Sequence, residues 1–428
     1  MKKPALKKPS KWYRLDNAAK LYPAIKSRKW ASIFRLSVTL KEVVRPDILQ
    51  KALEDVAPRF PSMCLTLRRG VFWYYLEHNS NTPLIHKDAA NPCIPIKPKL
   101  NRGFLFRVRY HNRRIAVELF HSLSDGTGGI VFLKTLTAQY LRLAGHDIPA
   151  TYGILDLSLL PDPEELEDSF TLFKDKKVRR TWRENKAYHI DGTPEEPNRL
   201  NIITGVISLQ ALLEKARELK VSITELLCAV YIYAVYRLQK AENPRLQLPV
   251  KISVPINLRK FYNTKSLRNF STYVNPGIDP ALGDYTFEET LCQVHHFMRY
   301  EVNEKLLAAR VNNNVQKELN LALRLAPLFI KNIAVLATFN LVGEKMFTGT
   351  ISNLGSVEVP PEMEPLIDRF DFLLGPPKYN KTACAVISFG KKLTINFSRT
   401  IEEPFVERLF FTQLVRMGIK VRIESNQE

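Results

Sequence analysis

Hydrophobic residues change their period several times along the chain, and each change marks an element. Residues 32–40, Ser-Ile-Phe-Arg-Leu-Ser-Val-Thr-Leu, alternate closely enough to predict a strand. Pro46 then opens a segment in which Ile48, Leu49, Ala52, Leu53 and Val56 recur at helical spacing. Proline in a first turn is itself a helix-start signal, and Arg59-Phe60-Pro61 closes the run. Strand-like runs follow at 63–68 and 71–77, parted by Gly70. Two more, at 104–110 and 114–119, are joined by His111-Asn112-Arg113, and the second leads straight into Phe120-His121. After Gly129 the period lengthens: Ile130, Phe132, Leu133, Leu136, Tyr140 and Leu141 suit a helix ending near Gly145.

Residues 161–197 turn polar and charged, with Pro161, Pro163, Pro194 and Pro197, and read as a crossover. Beyond it a strand is expected near 202–208, and residues 223–235 are apolar nearly all round, the pattern of a buried helix. Further strands are expected at 248–254, 383–389 and 393–397, with an amphipathic helix from 404 to 417. Strands and helices mix in both halves, which predicts an α/β class. The expected organisation is an N-terminal unit at 1–165, a crossover at 166–200 and a C-terminal unit at 201–428. A length of 428 residues allows two full domains.

Composition narrows the class without naming a function. Apolar residues at 45% and charged residues at 25% suit a globular chain and exclude wholesale disorder. The five cysteines are scattered, odd in number and form no C-x-x-C pair. That argues against a disulfide framework or a zinc site and for a reducing cytosol; no cluster suggests a metal or redox cofactor. Met1-Lys2-Lys3-Pro4 is basic, but no apolar run of signal-peptide length follows it. The most apolar long segment, Leu321 to Val342, carries Arg324 and Lys331 and falls short of a clean membrane span. It can line a hydrophobic acceptor tunnel or form a buried helix. A cytoplasmic protein is the expectation.

The net charge of +20 concentrates in the first fourteen residues and in Lys174 to Lys186, around the run Lys176-Lys177-Val178-Arg179-Arg180. Clustered basic residues can neutralise nucleic-acid phosphates, but no helix-turn-helix, RNP, zinc-finger or KH signature accompanies them, and no nucleic-acid partner is expected. A phosphorylated small molecule, an acidic carrier protein or an anionic membrane surface would be served by the same charge, and so would plain solvated surface.

The sharpest chemical signal is His121-Ser122-Leu123-Ser124-Asp125-Gly126. A strand delivers the histidine to a sheet edge, a glycine-containing turn follows, and a helix leaves. Imidazole can accept a proton near neutrality, which suits a general base. Asp125 is placed to fix the loop or to pair with a cation. Gly126, Gly128 and Gly129 permit a tight backbone path at the helix start.

This segment resembles the H-x-x-x-D-G motif of the superfamily that holds chloramphenicol acetyltransferase, peptide-synthetase condensation domains, plant BAHD acyltransferases and alcohol acetyltransferases. The resemblance runs in order along nearly the whole chain and is nearest to bacterial alcohol acetyltransferase-like proteins, whose start is similar to Trp12-Tyr13-Arg14-Leu15-Asp16-Asn17-Ala18-Ala19. Pro255-Ile256-Asn257-Leu258-Arg259 resembles a V-N-L-R strand end, and Ile351-Ser352-Asn353-Leu354-Gly355 an S-N-x-G segment. Asp371-Phe372-Leu373-Leu374-Gly375-Pro376 stands where BAHD enzymes carry D-F-G-W-G, with Leu373 and Leu374 in place of Gly and Trp. Phe120 occupies the place of the first histidine of many condensation domains.

The resemblance implies two similar α/β sandwich domains facing each other across a central tunnel, with His121 midway along it. His121 would be the general base for direct transfer of an acyl group, acetyl first, from acyl-CoA onto a hydroxyl, without an acyl-enzyme. Asp125 would be architectural and pair with an arginine, for which Arg259 is the candidate. Ser352 and Asn353 are oxyanion-donor candidates by motif position, although S-N-L-G is good turn chemistry by itself. Asn269 and Thr272, which fall near the G-N segment of BAHD enzymes with Arg268 replacing the glycine, are further oxyanion or substrate candidates. Lys176, Lys177, Arg179 and Arg180 are candidates for the coenzyme A phosphates. The alternatives are an amine acceptor, a donor carried on an acidic acyl-carrier protein, or a silent binding protein of the same fold whose charge serves nucleic acid or a membrane; peripheral membrane contact is compatible with each.

Overall fold

The computed structural model describes residues 12–26, 32–173, 185–319, 326–341, 343–376 and 378–427. Among the described residues three sheets carry the fold. Ile33–Leu40 lies between Arg114–Phe120 and Ile367–Leu374, antiparallel to both. Phe106–His111 and the short parallel strand Ile85–Lys87 complete this five-stranded sheet. One of its strands thus comes from within residues 201–428: the chain returns late to the sheet that the first half begins. A three-stranded sheet joins Trp12–Arg14, Tyr74–His78 and Leu65–Arg69.

The largest sheet has eight strands. Its order is Ser271–Val274, Val250–Asn257, Gly349–Ser356, Thr382–Phe389, Lys392–Arg399, Asn201–Ser208 and Val421–Ser425, and Gly277–Ile278 pairs beside Val250–Asn257. Gly349–Ser356 runs parallel to both of its neighbours. Thr382–Phe389 is buried at every position and shows why the sheet stands between two cores. Successive side chains of a strand point to opposite faces. Ala385, Ile387 and Phe389 join the core built around Ile33–Leu40. Cys384 and Val386 join the other core, with the helices Ile223–Glu242 and Phe405–Arg416. The two larger sheets also bond across their faces: Thr394 Oγ1 donates to Phe370 O (3.1 Å) and Ser398 Oγ to Leu374 O (2.8 Å).

Local chemistry sets the helix starts. Ser222 and Glu225 form a capping box at Ile223–Glu242, and Thr286 and Glu289 another at Phe287–Glu301. Asp125 caps Gly126–Leu143, so that helix begins four residues before the change of period after Gly129 predicts. Among the described residues no single helix is long and apolar enough to cross a membrane. The expectation that residues 321–342 form a buried helix is not met where it falls on described residues. Leu328–Leu341 is a helix, but Phe329, Ile330, Ile333 and Leu336 on it are exposed.

Candidate active site

The strand Arg114–Phe120 is buried at all but its first residue and hands the chain to His121. The His121 backbone N–H donates to Ser32 O (2.9 Å), which ties the loop to the start of Ile33–Leu40. The imidazole is half-buried. Tyr22 stacks on one face with ring centroids 4.7 Å apart, and Phe34 meets it edge-on at 5.1 Å. Burial raises the Tyr22 hydroxyl far above its usual range, with Asp16 and Asp125 adding to the effect, so this phenol stays neutral beside the ring.

His121 Nδ1 lies 3.0 Å from Asn269 Oδ1. The surroundings of the asparagine decide who donates. Asn269 Nδ2 is 3.1 Å from Asp16 Oδ2 and 2.9 Å from His121 O, and a carboxylate and a carbonyl both demand a donor. The amide nitrogen therefore faces those two, and the amide oxygen faces the ring and accepts its Nδ1–H. In the neutral imidazole this leaves the Nε2 lone pair as the basic site. Asn269 has both N–H groups committed, so it holds and orients the ring rather than offering a donor to an oxyanion.

Asp16, which sequence reasoning left without a role, is wholly buried. Burial pushes its carboxyl above the usual carboxylate value, and Arg268, the Ala19 N–H and Asn269 pull it back in part. Arg268 reaches Asp16 Oδ2 at 3.5 Å and donates to Arg14 O (2.7 Å) and Leu166 O (3.3 Å). Arg268 thus serves as the counter-cation of this network.

Asp125 has every lone-pair direction engaged. Oδ1 accepts from the N–H groups of Thr127 (3.1 Å) and Gly128 (3.2 Å), capping the helix. Oδ2 accepts from Arg259 Nη1 (2.7 Å) and from the Phe270 N–H (2.9 Å). None of these four partners is His121, so the carboxylate fastens the loop of one sheet to residues 259–270 of the other. Arg259 also bonds Ser266 O (2.9 Å) and Arg268 O, while Asn257 reaches Thr127 Oγ1 (3.2 Å). Ser124 Oγ donates to Leu267 O (2.6 Å). The glycines allow this approach: a Cβ on Gly128 would stand 2.1 Å from Leu267 O, and one on Gly126 2.5 Å from Leu354 Cδ2.

Leu354 brings the segment 351–355 against the same loop. Asn353 is engaged as a turn residue, donating to Thr224 Oγ1 (3.1 Å) and accepting from the Gly355 N–H (2.9 Å), with Gly355 at φ +80°. Ser352 is half-buried on the same strand, and Thr272 is buried opposite Ile256. Lys176, Lys177, Arg179 and Arg180 lie outside the described residues. Asp16, Tyr22 and Arg268 are the site residues that sequence reasoning missed. The only signal for Asp16 and Arg268 was their membership of two segments already singled out by resemblance.

No protein-family model and no curated protein sequence matches the chain. Solved structures do. TRI3 trichothecene 15-O-acetyltransferase of Fusarium sporotrichioides superposes with a TM-score of 0.60 at 11% identity, over 95% of this chain and 94% of that one. TRI101 of F. graminearum, solved with ethyl coenzyme A, gives 0.65 at 9%, over 97% and 100%. The starter condensation domain of rhizomide synthetase RzmA, solved with C8-CoA and Leu-SNAC, gives 0.58 at 14%, over 95% of each chain. With so little identity and such complete coverage, what is shared is the architecture: the chain has the chloramphenicol-acetyltransferase-like fold of coenzyme A-dependent acyltransferases and condensation domains.

Proposed function

We propose that the chain is an acyltransferase that moves an acyl group from acyl-CoA onto a hydroxyl, with His121 as general base. The observation that supports it most directly is the Asn269 contact, which protonates Nδ1 and leaves Nε2 free to accept a proton. Nε2 takes the proton of the acceptor hydroxyl as its oxygen bonds to the thioester carbonyl carbon. The tetrahedral intermediate then collapses with cleavage of the C–S bond, and the imidazolium returns the proton to the leaving thiolate. The stacked Tyr22 and the edge-on Phe34 restrict the ring to one plane, so its lone pair is aimed before the acceptor arrives. Asp125 and Arg259 hold the loop in place from outside the reaction. Ser352 is the remaining candidate for the developing oxyanion, and the basic run Lys176, Lys177, Arg179 and Arg180 for the coenzyme A phosphates.

The test is thiol release from acetyl-CoA over a panel of alcohols, amines and hydroxylated lipids, wild type beside His121→Ala. Release should require an acceptor and fall by about 10²- to 10⁴-fold in the variant, at an unchanged melting temperature. Equal activity in the variant removes the general base. Turnover only with a carrier-protein thioester moves the donor from free coenzyme A to a carrier.

A further inference from the structure

The helix Leu328–Leu341 is apolar nearly all round, carries Lys331 as its single charge and contains no acid. Such a helix belongs in a core. Here Phe329, Ile330, Ile333 and Leu336 are exposed at 57, 46, 67 and 37%. The turn beside it, Val71-Phe72-Trp73, is exposed at 73, 42 and 48%. The two are bonded into one surface. The Leu328 N–H donates to Val71 O (2.8 Å) and Lys331 Nζ to Phe72 O (3.0 Å), while the same ammonium sits 3.8 Å from the Trp73 ring centroid. Asn332 Nδ2 donates to the Tyr74 hydroxyl (2.9 Å). A continuous apolar patch of this kind marks a partner surface.

Charge selects the partner. The patch is edged by Lys331, by exposed Arg69 opposite Tyr74, and by Lys378, 5.4 Å from the Phe339 ring, in a chain of net charge +20. A second copy docked here would bring like charges together. Exposed aromatics with lysine and arginine at the rim match a headgroup layer bearing negative charge. The patch also adjoins the site: the helix packs on Leu21–Ile25, whose Tyr22 stacks on His121.

We propose that this face docks on an anionic lipid surface and that the acceptor is a hydroxylated lipid taken from it. The second half rests on the acyl-transfer reading; the first does not. Co-sedimentation of the full chain with vesicles of equal parts phosphatidylglycerol and phosphatidylcholine should show binding, weaker by about tenfold on phosphatidylcholine alone. The double variant Phe329→Glu/Ile333→Glu should lose about a hundredfold in binding while melting as the wild type does. Equal binding of variant and wild type, or no binding by either, overturns the proposal. So does concentration-dependent self-association that the double variant abolishes, which would give the face to a second copy. Wild-type turnover of a long-chain alcohol should rise when it is presented in the anionic vesicles. Lipid binding without any turnover would sink the acyl-transfer reading and leave the docking surface standing.

Discussion

Two buried ionic clusters flank the histidine loop, and burial wins in only one of them. Glu118, three residues before His121, is wholly buried. Its Oε1 accepts from the Cys93 N–H (2.9 Å) and Arg35 Nη1 (3.3 Å), and its Oε2 from Arg107 Nε and Arg109 Nε (3.3 Å). Arg35 also bonds Asp88 at 2.8 Å, so three guanidinium groups face two carboxylates. Burial pushes the Glu118 carboxyl up, but Arg107, Arg35, the Cys93 N–H and Arg109 together hold it below the usual range. Asp16 is as deeply buried with Arg268 as its close cation, and there burial prevails. The first cluster is overcompensated and serves as a rigid footing for the strand. The second is undercompensated, and it orients the Asn269 amide: Asp16 takes one N–H and His121 O the other, which turns the amide oxygen towards Nδ1.

The largest expected effect breaks the first cluster. Glu118→Ala leaves three buried guanidinium groups without their common acceptor, and removal of one partner from a buried ionic set costs about 3–5 kcal/mol. Urea denaturation should show that loss, while turnover per folded molecule stays near wild type because no atom of Glu118 contacts the imidazole. A variant that folds as stably as the wild type contradicts the view of this cluster as footing.

A smaller effect is expected at the second cluster. Asn269→Leu removes the acceptor of the Nδ1–H and lets the ring choose its tautomer, which should lower kcat by about 10- to 10²-fold, towards the lower end of a general base's contribution. KM should hold. A raised KM at unchanged kcat would mean that Asn269 meets substrate instead of orienting the base.

The difference between the clusters also explains what the chain discloses on its own. His121, Asp125 and Gly126 fall within six consecutive residues, and a strand, a capping carboxylate and glycine at a close approach are local chemistry that a sequence displays. The alternation of Ser32–Leu40 and of residues 383–389 displays strands in the same way. Asp16, Arg268 and Asn269 meet across the fold, from positions more than 250 residues apart, and no spacing rule pairs them. Resemblance drew attention to Asn269 as an oxyanion or substrate candidate but not to its contact with His121 Nδ1, because an amide's partners depend on what its other end touches. Residues 328–341 were legible as apolar but not as exposed: composition tells how much surface wants covering, not which neighbour covers it. The return of Ile367–Leu374 to the first sheet is likewise a matter of pairing, on which periodicity is silent.

The finest test acts on the shortfall itself. The folded protein holds a proton on Asp16 better than the unfolded chain does, because burial penalises the anion more than Arg268, the Ala19 N–H and Asn269 reward it. The contribution of this group to stability is therefore complete below the ordinary carboxylate value of 3.8 and drains away as the pH rises through the raised one. Asp16→Asn keeps an oxygen for Asn269 and Ala19 but cannot ionise. Its stability relative to wild type should climb as the pH rises above the ordinary carboxylate value of 3.8, where the wild type is losing its share, and kcat should change little. Urea midpoints of the two proteins from acid to neutral pH carry the sign. A variant that falls behind as the pH rises would mean that attraction to Arg268 outweighs burial, that Asp16 is compensated as Glu118 is, and that the two clusters differ only in size.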